Sequence, residues 1–389
     1  MIRRVWPHAA RSRPRRTRDR QDASERYTRP VASRPLYLHV GTGKSGTSSL
    51  QSAIWNSTEE LAKDGIGLPF DRRAAAVRRL LSPMGWVIAE GFSQPIDPTG
   101  LGRFARRLRQ VPGDALLITN EDLAEAGRPS VDALFDALAS ADVEPKIIVT
   151  GRDWAKQLPS DYQQLLKHNI TDTYEAFLEK VRDRRGIGEQ FWLRQDLPDI
   201  CERWGRHVNP EDVHIIPVPS YSADPEAVYR LFSEVVGFDH HVLSIPRRDT
   251  NASFGVVEAE VLRRFNLALG DRLADYSTEY MPAVRNGLIR HCIARGSSAR
   301  LTVPEDHVGW VHELSQQRLS LLRERGYTLH GDPTSLVPSP DSGQPLPGVS
   351  DAEIAEAAIS TLATFAVRTF KQQQFKRSSG PERPRDRRE

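Results

Sequence analysis

The chain has 389 residues, of which 39% are hydrophobic and 27% are charged. A chain of this size builds a core without disulfide staples, and no apolar run approaches the roughly 18 residues of a membrane span. Cys201 and Cys292 lie far apart and form no CxxC pair, which favours buried thiols in a reducing compartment over metal or redox work. The sequence therefore predicts a soluble, cytoplasmic globular protein.

The net charge of +3 is unevenly distributed. Residues 1–34 contain eleven arginines against three acidic residues, and few apolar ones. Such a segment buries too little surface to offset its ordering entropy, so we expect a disordered basic arm. Contact with an anionic surface stays open for it, and no specific nucleic acid is expected. Residues 377–389 have the same composition and are predicted to be a disordered tail.

Short apolar runs alternate along the chain with segments of helical period, which is typical of an α/β fold with a parallel sheet and helices on both faces. The predicted strands are 36–40, 115–119, 146–150 and 213–217. The predicted helices are 48–61, 131–139, 154–167, 174–181, 191–204, 225–236 and 256–269. Asp224 is a plausible cap for the helix that would begin at Pro225.

The C-terminal part has a different composition. Residues 332–350 are rich in Pro, Ser, Gly and Asp and are predicted to be a linker. Asp351 then starts an Ala-rich helix over 351–376, with Asp351 as its cap. This C-terminal helical extension either docks on the main domain or serves an oligomer.

The segment Gly-Thr-Gly-Lys-Ser-Gly-Thr-Ser at 41–48 joins the first strand to the first helix. Its glycines let successive N–H groups converge on one oxyanion, and the helix directs its positive end at the same point. Lys44 adds a full charge. The residues expected to contact the anion are Gly41, Lys44, Ser45, Gly46, Thr47 and Ser48.

A nucleoside-triphosphate P-loop, G-x-x-x-x-G-K-[ST], is the obvious alternative for this loop. Gly43-Lys44-Ser45 matches its last three positions, but its first glycine falls on Leu38. The loop is too short to wrap a β-phosphate in that way. A kinase or NTPase stays the alternative enzyme, because Asn120-Glu121-Asp122 at a strand end imitates a magnesium-binding carboxylate.

The pattern Gly-x-x-Lys-Ser-Gly-Thr-Ser-x-Leu over 41–50 resembles the 5′-phosphosulfate-binding loop of the sulfotransferase family. A second resemblance lies after the strand 146–150, where Arg152 and Ser160 are similar to the family's 3′-phosphate site. A guanidinium forks onto two phosphate oxygens and a hydroxyl donates to the third. Taken alone, Arg152 is equally explained by a salt bridge to Asp153 or Glu144.

The resemblance covers about residues 36–269 and implies a P-loop-like parallel sheet. It implies a sulfuryl group donated by 3′-phosphoadenosine 5′-phosphosulfate to a hydroxyl or amine of a small-molecule or glycan acceptor, without a metal. The sulfotransferase domain would span 35–331. Residues 247–249 and 251–253 match a further donor-binding loop loosely. A non-catalytic nucleotide- or polyanion-binding protein on the same fold is the alternative from another class.

Catalysis by such an enzyme needs a cation at the leaving oxygen and a base at the acceptor. Lys44 is the candidate for the cation, since it would neutralise the bridging oxygen as the S–O bond breaks. Glu121, at the carboxyl end of the strand 115–119, is the first candidate base. His39 is the second, although it is more simply explained as hydrogen-bonding a neighbouring strand.

Overall fold

A parallel sheet forms the centre of the computed structural model, which describes residues 33–87, 90–219, 224–245, 254–293 and 298–378. Within these ranges the strands are β1 (Arg34–Gly41), β2 (Ile66–Gly67), β3 (Trp86–Val87), β4 (Gly91–Phe92), β5 (Ala115–Thr119), β6 (Val143–Gly151), β7 (Val213–Pro217) and β8 (Thr328–Leu329). Six of them pair in the order β2-β5-β1-β6-β7-β8, all parallel, while β3 and β4 form a separate antiparallel pair.

Helices connect the strands and cover both faces of the sheet. They are α1 (Thr47–Asn56), α2 (Thr58–Lys63), α3 (Arg73–Ala76), α4 (Pro98–Leu108), α5 (Arg128–Leu138), α6 (Trp154–Leu166), α7 (Tyr174–Arg182), α8 (Ile187–Gln195), α9 (Leu197–Gly205), α10 (Ala227–Val236), α11 (Val256–Leu269), α12 (Glu305–Glu324) and α13 (Asp351–Ser378). Two segments, Val77–Leu81 and Tyr276–Ile289, are π-helical, and Glu121–Glu125 is a 3-10 helix. The predicted α/β class, with a parallel sheet between helices, is confirmed.

Alternation along the strands sends side chains into two separate cores. In β1, Leu36 and Leu38 are buried against the side that α4, α5 and α9 cover. In β5 and β6, Leu117 and Ile148 are buried on the other side, with α1 and α10. Because both faces are covered, the strands consist of near-continuous apolar runs, which is why their positions were readable from the sequence.

Two helices predicted as single elements are interrupted. The segment 48–61 breaks at Ser57, whose hydroxyl donates to the Ala53 carbonyl and accepts the Ser244 N–H at 2.7 Å. The segment 191–204 breaks between α8 and α9, where Pro198 lies in the first turn of α9. Proline suits a first turn because it has no N–H to contribute to a continuing helix.

Two predicted caps are also corrected. The helix expected from Pro225 begins at Ala227, and Asp224 accepts the Glu226 N–H at 3.0 Å before the helix starts. The cap of α13 is Ser350 rather than Asp351, because the Ser350 hydroxyl accepts the Glu353 N–H while the Glu353 carboxylate accepts the Ser350 N–H. This reciprocal pair is a capping box.

Residues 332–350 lie against the domain rather than apart from it. Leu336 is buried in the core, His312 contacts the Pro338 carbonyl at 2.8 Å, and the Gln344 N–H donates to the Val303 carbonyl at 3.2 Å. The division of the chain into arm, domain, linker and tail stays a prediction, and residues 1–32 and 379–389 lie outside the described residues. Among the residues that the structure describes, no helix is long and apolar enough to cross a membrane.

Candidate functional site

The glycine loop lies at the carboxyl end of β1, between β5 and β6, where α/β sheets gather ligands. Gly41 has a φ of 118°, and a Cβ there would lie 3.1 Å from the Glu121 carbonyl oxygen and 3.2 Å from the Ala124 Cβ. A larger residue would therefore meet both a conformational penalty and the 3-10 helix. Glycine at this position lets the loop pack directly against the segment that carries Glu121.

The loop turns into α1 through two left-handed residues. Lys44 has a φ of 65° and Gly46 a φ of 89°. Gly46 is the N-cap of α1, and it has no side chain that could accept hydrogen bonds from the first N–H groups of the helix. These N–H groups and the positive end of the helix dipole suit an anion in front of α1.

The hydroxyls of the loop have internal partners. Ser45 is buried and its hydroxyl donates to the Thr42 carbonyl at 2.6 Å, with Thr150 Oγ1 at 3.1 Å. Thr47 is also buried and donates to the Glu121 carboxylate. Ser48 is exposed. Ser45 and Thr47 thus brace the loop, and the predicted contact of the three hydroxyls with an anion stays a prediction.

His39 lies within the sheet rather than at its edge. The side chain is fully buried, with Nδ1 2.8 Å from Thr119 Oγ1 and Nε2 3.1 Å from Thr150 Oγ1. Burial lowers its pKa to about 3, so the ring is neutral. With both nitrogens engaged, His39 has the strand-bridging role that was the simpler interpretation, and it joins β1 to Thr150 and through it to Ser45.

Arg152 is connected to the loop through a residue that the sequence did not single out. Its Nε donates to Gln157 Oε1 and its Nη2 to the Lys156 carbonyl, both at 2.9 Å. Gln157 Nε2 in turn donates to the Gly43 carbonyl at 2.8 Å. Asp153, the expected salt-bridge partner, instead caps α6 and pairs with Lys156 at 2.7 Å. The Arg152 guanidinium is therefore held beside the loop by neutral groups.

Ser160 lies one turn after Gln157 on α6, on the same face of the helix. It is half-buried. Arg152 lies two residues before α6 and is hydrogen-bonded to Gln157, which shares a helix face with Ser160. Their predicted contact with a 3′-phosphate stays a prediction.

Two further cations gather near Lys44. Burial lowers the pKa of Lys44 against the raising effect of Glu121, and Arg285 and Arg152 lower it further. Burial lowers the pKa of Lys167 to about 7, with Lys44 and Arg285 contributing, and its Nζ lies 4.7 Å from the centre of the Phe254 ring. Positive groups that depress each other's pKa values form an arrangement that a bound anion stabilises.

Three carboxylates lie on the 3-10 helix that packs against Gly41. Asp122 accepts two hydrogen bonds from Arg73 Nη2, at 2.8 and 2.6 Å. Burial raises the pKa of Glu125 to about 7 against the lowering effect of Arg194, whose Nε lies 3.8 Å from Glu125 Oε1. Glu121, beside Lys44, is held by Thr47. In the Asn120-Glu121-Asp122 run, Glu121 thus has a hydroxyl partner and Asp122 a guanidinium partner.

His168, just after the end of α6, is half-buried and stacks on Tyr276, with ring centroids 5.0 Å apart. Tyr276 also accepts a hydrogen bond from Arg285 Nη1 at 2.9 Å, so the π-helix brings Arg285 to the site. The residues loosely matched to a further donor-binding loop, 247–249 and 251–253, lie outside the described residues.

Comparison with known proteins adds one likeness. No family model matches the chain, and neither does any curated protein. Among solved structures, it is similar to a sulfotransferase from Alicyclobacillus acidocaldarius, with 18% identity, a TM-score of 0.38, and coverage of 62% of this chain and 96% of that one. At that identity and superposition no shared activity follows, and function has to be inferred from this chain's own residues.

Proposed function

We propose that the chain is a sulfotransferase that moves a sulfuryl group from 3′-phosphoadenosine 5′-phosphosulfate to a hydroxyl or amine of a small-molecule or glycan acceptor. The observation that carries the proposal is the cluster around Lys44. Lys44, a left-handed residue three positions before α1, interacts electrostatically with the cations Arg152, Arg285 and Lys167 and with the carboxylate of Glu121. Cations for an anionic donor and a carboxylate for an acceptor proton thus meet at one loop.

The loop with Lys44 would bind one end of the donor, and Arg152 would bind the other. The loop N–H groups, the α1 N-terminus and Lys44 suit the 5′-phosphosulfate. Arg152, tied to the Gly43 carbonyl through Gln157, suits the 3′-phosphate, because a guanidinium on neutral partners keeps its charge for a ligand. Ser160 would donate the remaining hydrogen bond. A site for two separate phosphates distinguishes this donor from ATP.

Transfer would be an in-line displacement at sulfur. The acceptor oxygen or nitrogen forms a bond to sulfur while the bond from sulfur to the bridging oxygen breaks, and that electron pair leaves with the 5′-phosphate. Lys44 neutralises the charge that grows on the bridging oxygen. The acceptor proton goes to Glu121. The hydrogen bond from Thr47 fixes the orientation of the Glu121 carboxylate, which leaves one face of it for the acceptor.

Glu125 is the second carboxylate that suits the base. It lies four residues after Glu121, at the end of the same 3-10 helix, and its pKa of about 7 lies in the range where a general base operates best. Glu121→Gln and Glu125→Gln separate the two. The variant that lacks the base should lose transfer at every pH, whereas loss of the other carboxylate should leave the pH profile of the rate unchanged in shape.

The experiment that tests the proposal is incubation of the purified chain with donor labelled in the sulfuryl group and a panel of alcohols, phenols, amines and glycans, in the presence of a metal chelator. We expect labelled product and the bisphosphate nucleotide in equal amounts. Magnesium-dependent phosphate transfer from ATP, with no reaction of the sulfated donor, would support the kinase alternative instead. Donor binding without transfer to any acceptor would support a non-catalytic binding protein.

A further inference from the structure

Helix α13 carries an unusual share of the exposed apolar surface. Among the described residues, eight large hydrophobic side chains are exposed, and five of them are on this one helix. Ile359 is 66% exposed, Leu362 64% and Phe370 60%. A folded protein rarely leaves a contiguous apolar stripe in water, and such stripes mark interaction surfaces.

The helix is attached to the domain by its opposite face. Ile354 is buried against Val257 and Val261 of α11, and Arg264 Nη1 lies 2.8 Å from Asp351 Oδ1. The exposed stripe is distinct from this contact. It consists of Ala355, Ile359, Leu362, Ala363, Ala366 and Phe370, whose positions i, i+4, i+7, i+8, i+11 and i+15 place them on one helix face.

Charge divides α13 into two halves. Residues 351–364 include three acidic residues and no basic one, and residues 365–378 include four basic residues and no acidic one. This distribution stabilises a single helix through its dipole. It also makes the helix complementary to a reversed copy of itself, because the acidic half of one copy then lies beside the basic half of the other. A parallel pair would place like charges together.

The stripe has the same reversed complementarity in side-chain size. With a two-fold axis between Leu362 and Ala363, each position i faces position 725 − i of the second copy. Leu362 then faces Ala363, Ile359 faces Ala366, and Phe370 faces Ala355. Every large side chain meets an alanine, which lets the two helices approach closely and interdigitate. Size and charge thus select the same orientation independently.

We propose that α13 pairs antiparallel with the α13 of a second copy of this chain, through the stripe from Ala355 to Phe370. The contact is isologous, because one two-fold axis relates both copies and the same patch serves each. Glu356 of each copy then faces Thr369 of the other, two residues before Lys371. Dimerisation covers the apolar stripe without involving the loop that carries Lys44, so it is independent of the proposed activity.

Light scattering on the full chain tests the dimer, since the monomer mass is 43.8 kDa and the expected mass at high concentration is about twice that. Leu362→Glu should weaken dimerisation by about a hundredfold, because it buries an unpaired charge in the stripe. The control is Leu267→Glu, which alters an exposed leucine of α11, 53% exposed, and should leave the dimer intact. A wild-type chain that stays monomeric at every concentration overturns the proposal, and in that case binding to anionic vesicles would assign the stripe to a lipid surface.

Orientation is tested by charge reversal. Glu356→Lys should weaken the dimer several-fold, and Glu356→Lys combined with Lys371→Glu should restore it. In a parallel pair the double variant would not recover, because each charged residue faces the same residue of the other copy. Failure of the double variant to recover, with the helix content unchanged by circular dichroism, contradicts the antiparallel arrangement.

Cysteine cross-linking provides a second measure of orientation. Ile359→Cys and Ala366→Cys, prepared separately and mixed, should form a disulfide-linked heterodimer, while each variant alone should cross-link poorly. The native Cys201 and Cys292 are both buried, so they do not compete. Efficient cross-linking within each single variant would indicate a parallel pair and refute the register.

Discussion

Replacement of Lys44 by alanine probes the residue on which the proposed mechanism depends most. Lys44 already occupies a left-handed conformation with a Cβ, so alanine adds no backbone strain. A unit charge about 3 Å from an oxygen in surroundings of effective dielectric about 20 contributes roughly 5 kcal/mol. If about half of a charge develops on the bridging oxygen in the transition state, Lys44→Ala loses about 2 to 3 kcal/mol, or roughly a hundredfold in rate.

The assay is single-turnover sulfuryl transfer to any responsive acceptor, together with titration of the donor. Donor affinity should fall less than the rate, because the loop N–H groups and Arg152 still hold the two phosphates. Lys44→Arg should rescue only partly, since a planar fork does not deliver a point charge to one oxygen. Lys63→Ala, at the end of α2 before β2, is the control. A Lys44→Ala variant that binds and transfers like the wild type would refute this role.

Arg152→Ala should weaken binding of a 3′-phosphorylated nucleotide by roughly 2 to 4 kcal/mol, the scale of a lost buried charge pair, and calorimetry that finds no loss would contradict the assignment. Nucleotide binding at about pH 8 should take up a proton, because a bound phosphate raises the pKa of Lys167 from about 7. The apparent binding enthalpy should then vary with the ionisation enthalpy of the buffer. Lys167→Met should abolish that variation. The pKa of Glu125 is raised from 4.5 to about 7, so between these pH values the folded state holds a proton that the unfolded chain has released. The free energy of unfolding should therefore fall as pH rises between about 5 and 7. Glu125→Gln should flatten this slope in denaturant titrations, and an unchanged slope would refute the assignment to Glu125. Removal of residues 1–33, the predicted arm without Arg34 of β1, should leave the melting temperature and nucleotide affinity unchanged. A fall of several degrees would mean that the arm packs.

Much of the fold was readable from the sequence because the strands are buried on both faces. β5 and β7 begin and end where their apolar runs do, and α11 has its predicted bounds. The two-residue strands β2 and β8 were missed, since a pair of residues has no periodicity. The breaks at Ser57 and Pro198 were missed because the helical period continues across both positions. The first helix is interrupted by the side-chain contacts of Ser57, and the second by the proline.

The sequence predicted only those residues of the candidate site that lie close together along the chain. Lys44 and the glycines are contiguous, so one pattern of spacing located them. Gln157, Lys167 and Arg285 come from α6 and the π-helix, and the packing of those elements brings them to the loop. The sequence could have indicated Glu125 as a site residue, because it lies in the same short segment after β5 as Glu121. His39 followed the period of two along β1, which favoured its structural role from the start.

Calorimetric titration of the wild-type chain with 3′-phosphoadenosine 5′-phosphate and with the same nucleotide lacking its 3′-phosphate, both in a metal chelator, tests the central claim most directly. We predict tight binding of the bisphosphate and a loss of roughly 2 to 4 kcal/mol when the 3′-phosphate is removed, because Arg152 then has no anion to contact. Equal affinity for the two nucleotides, or binding only of ATP and only with magnesium, would contradict it.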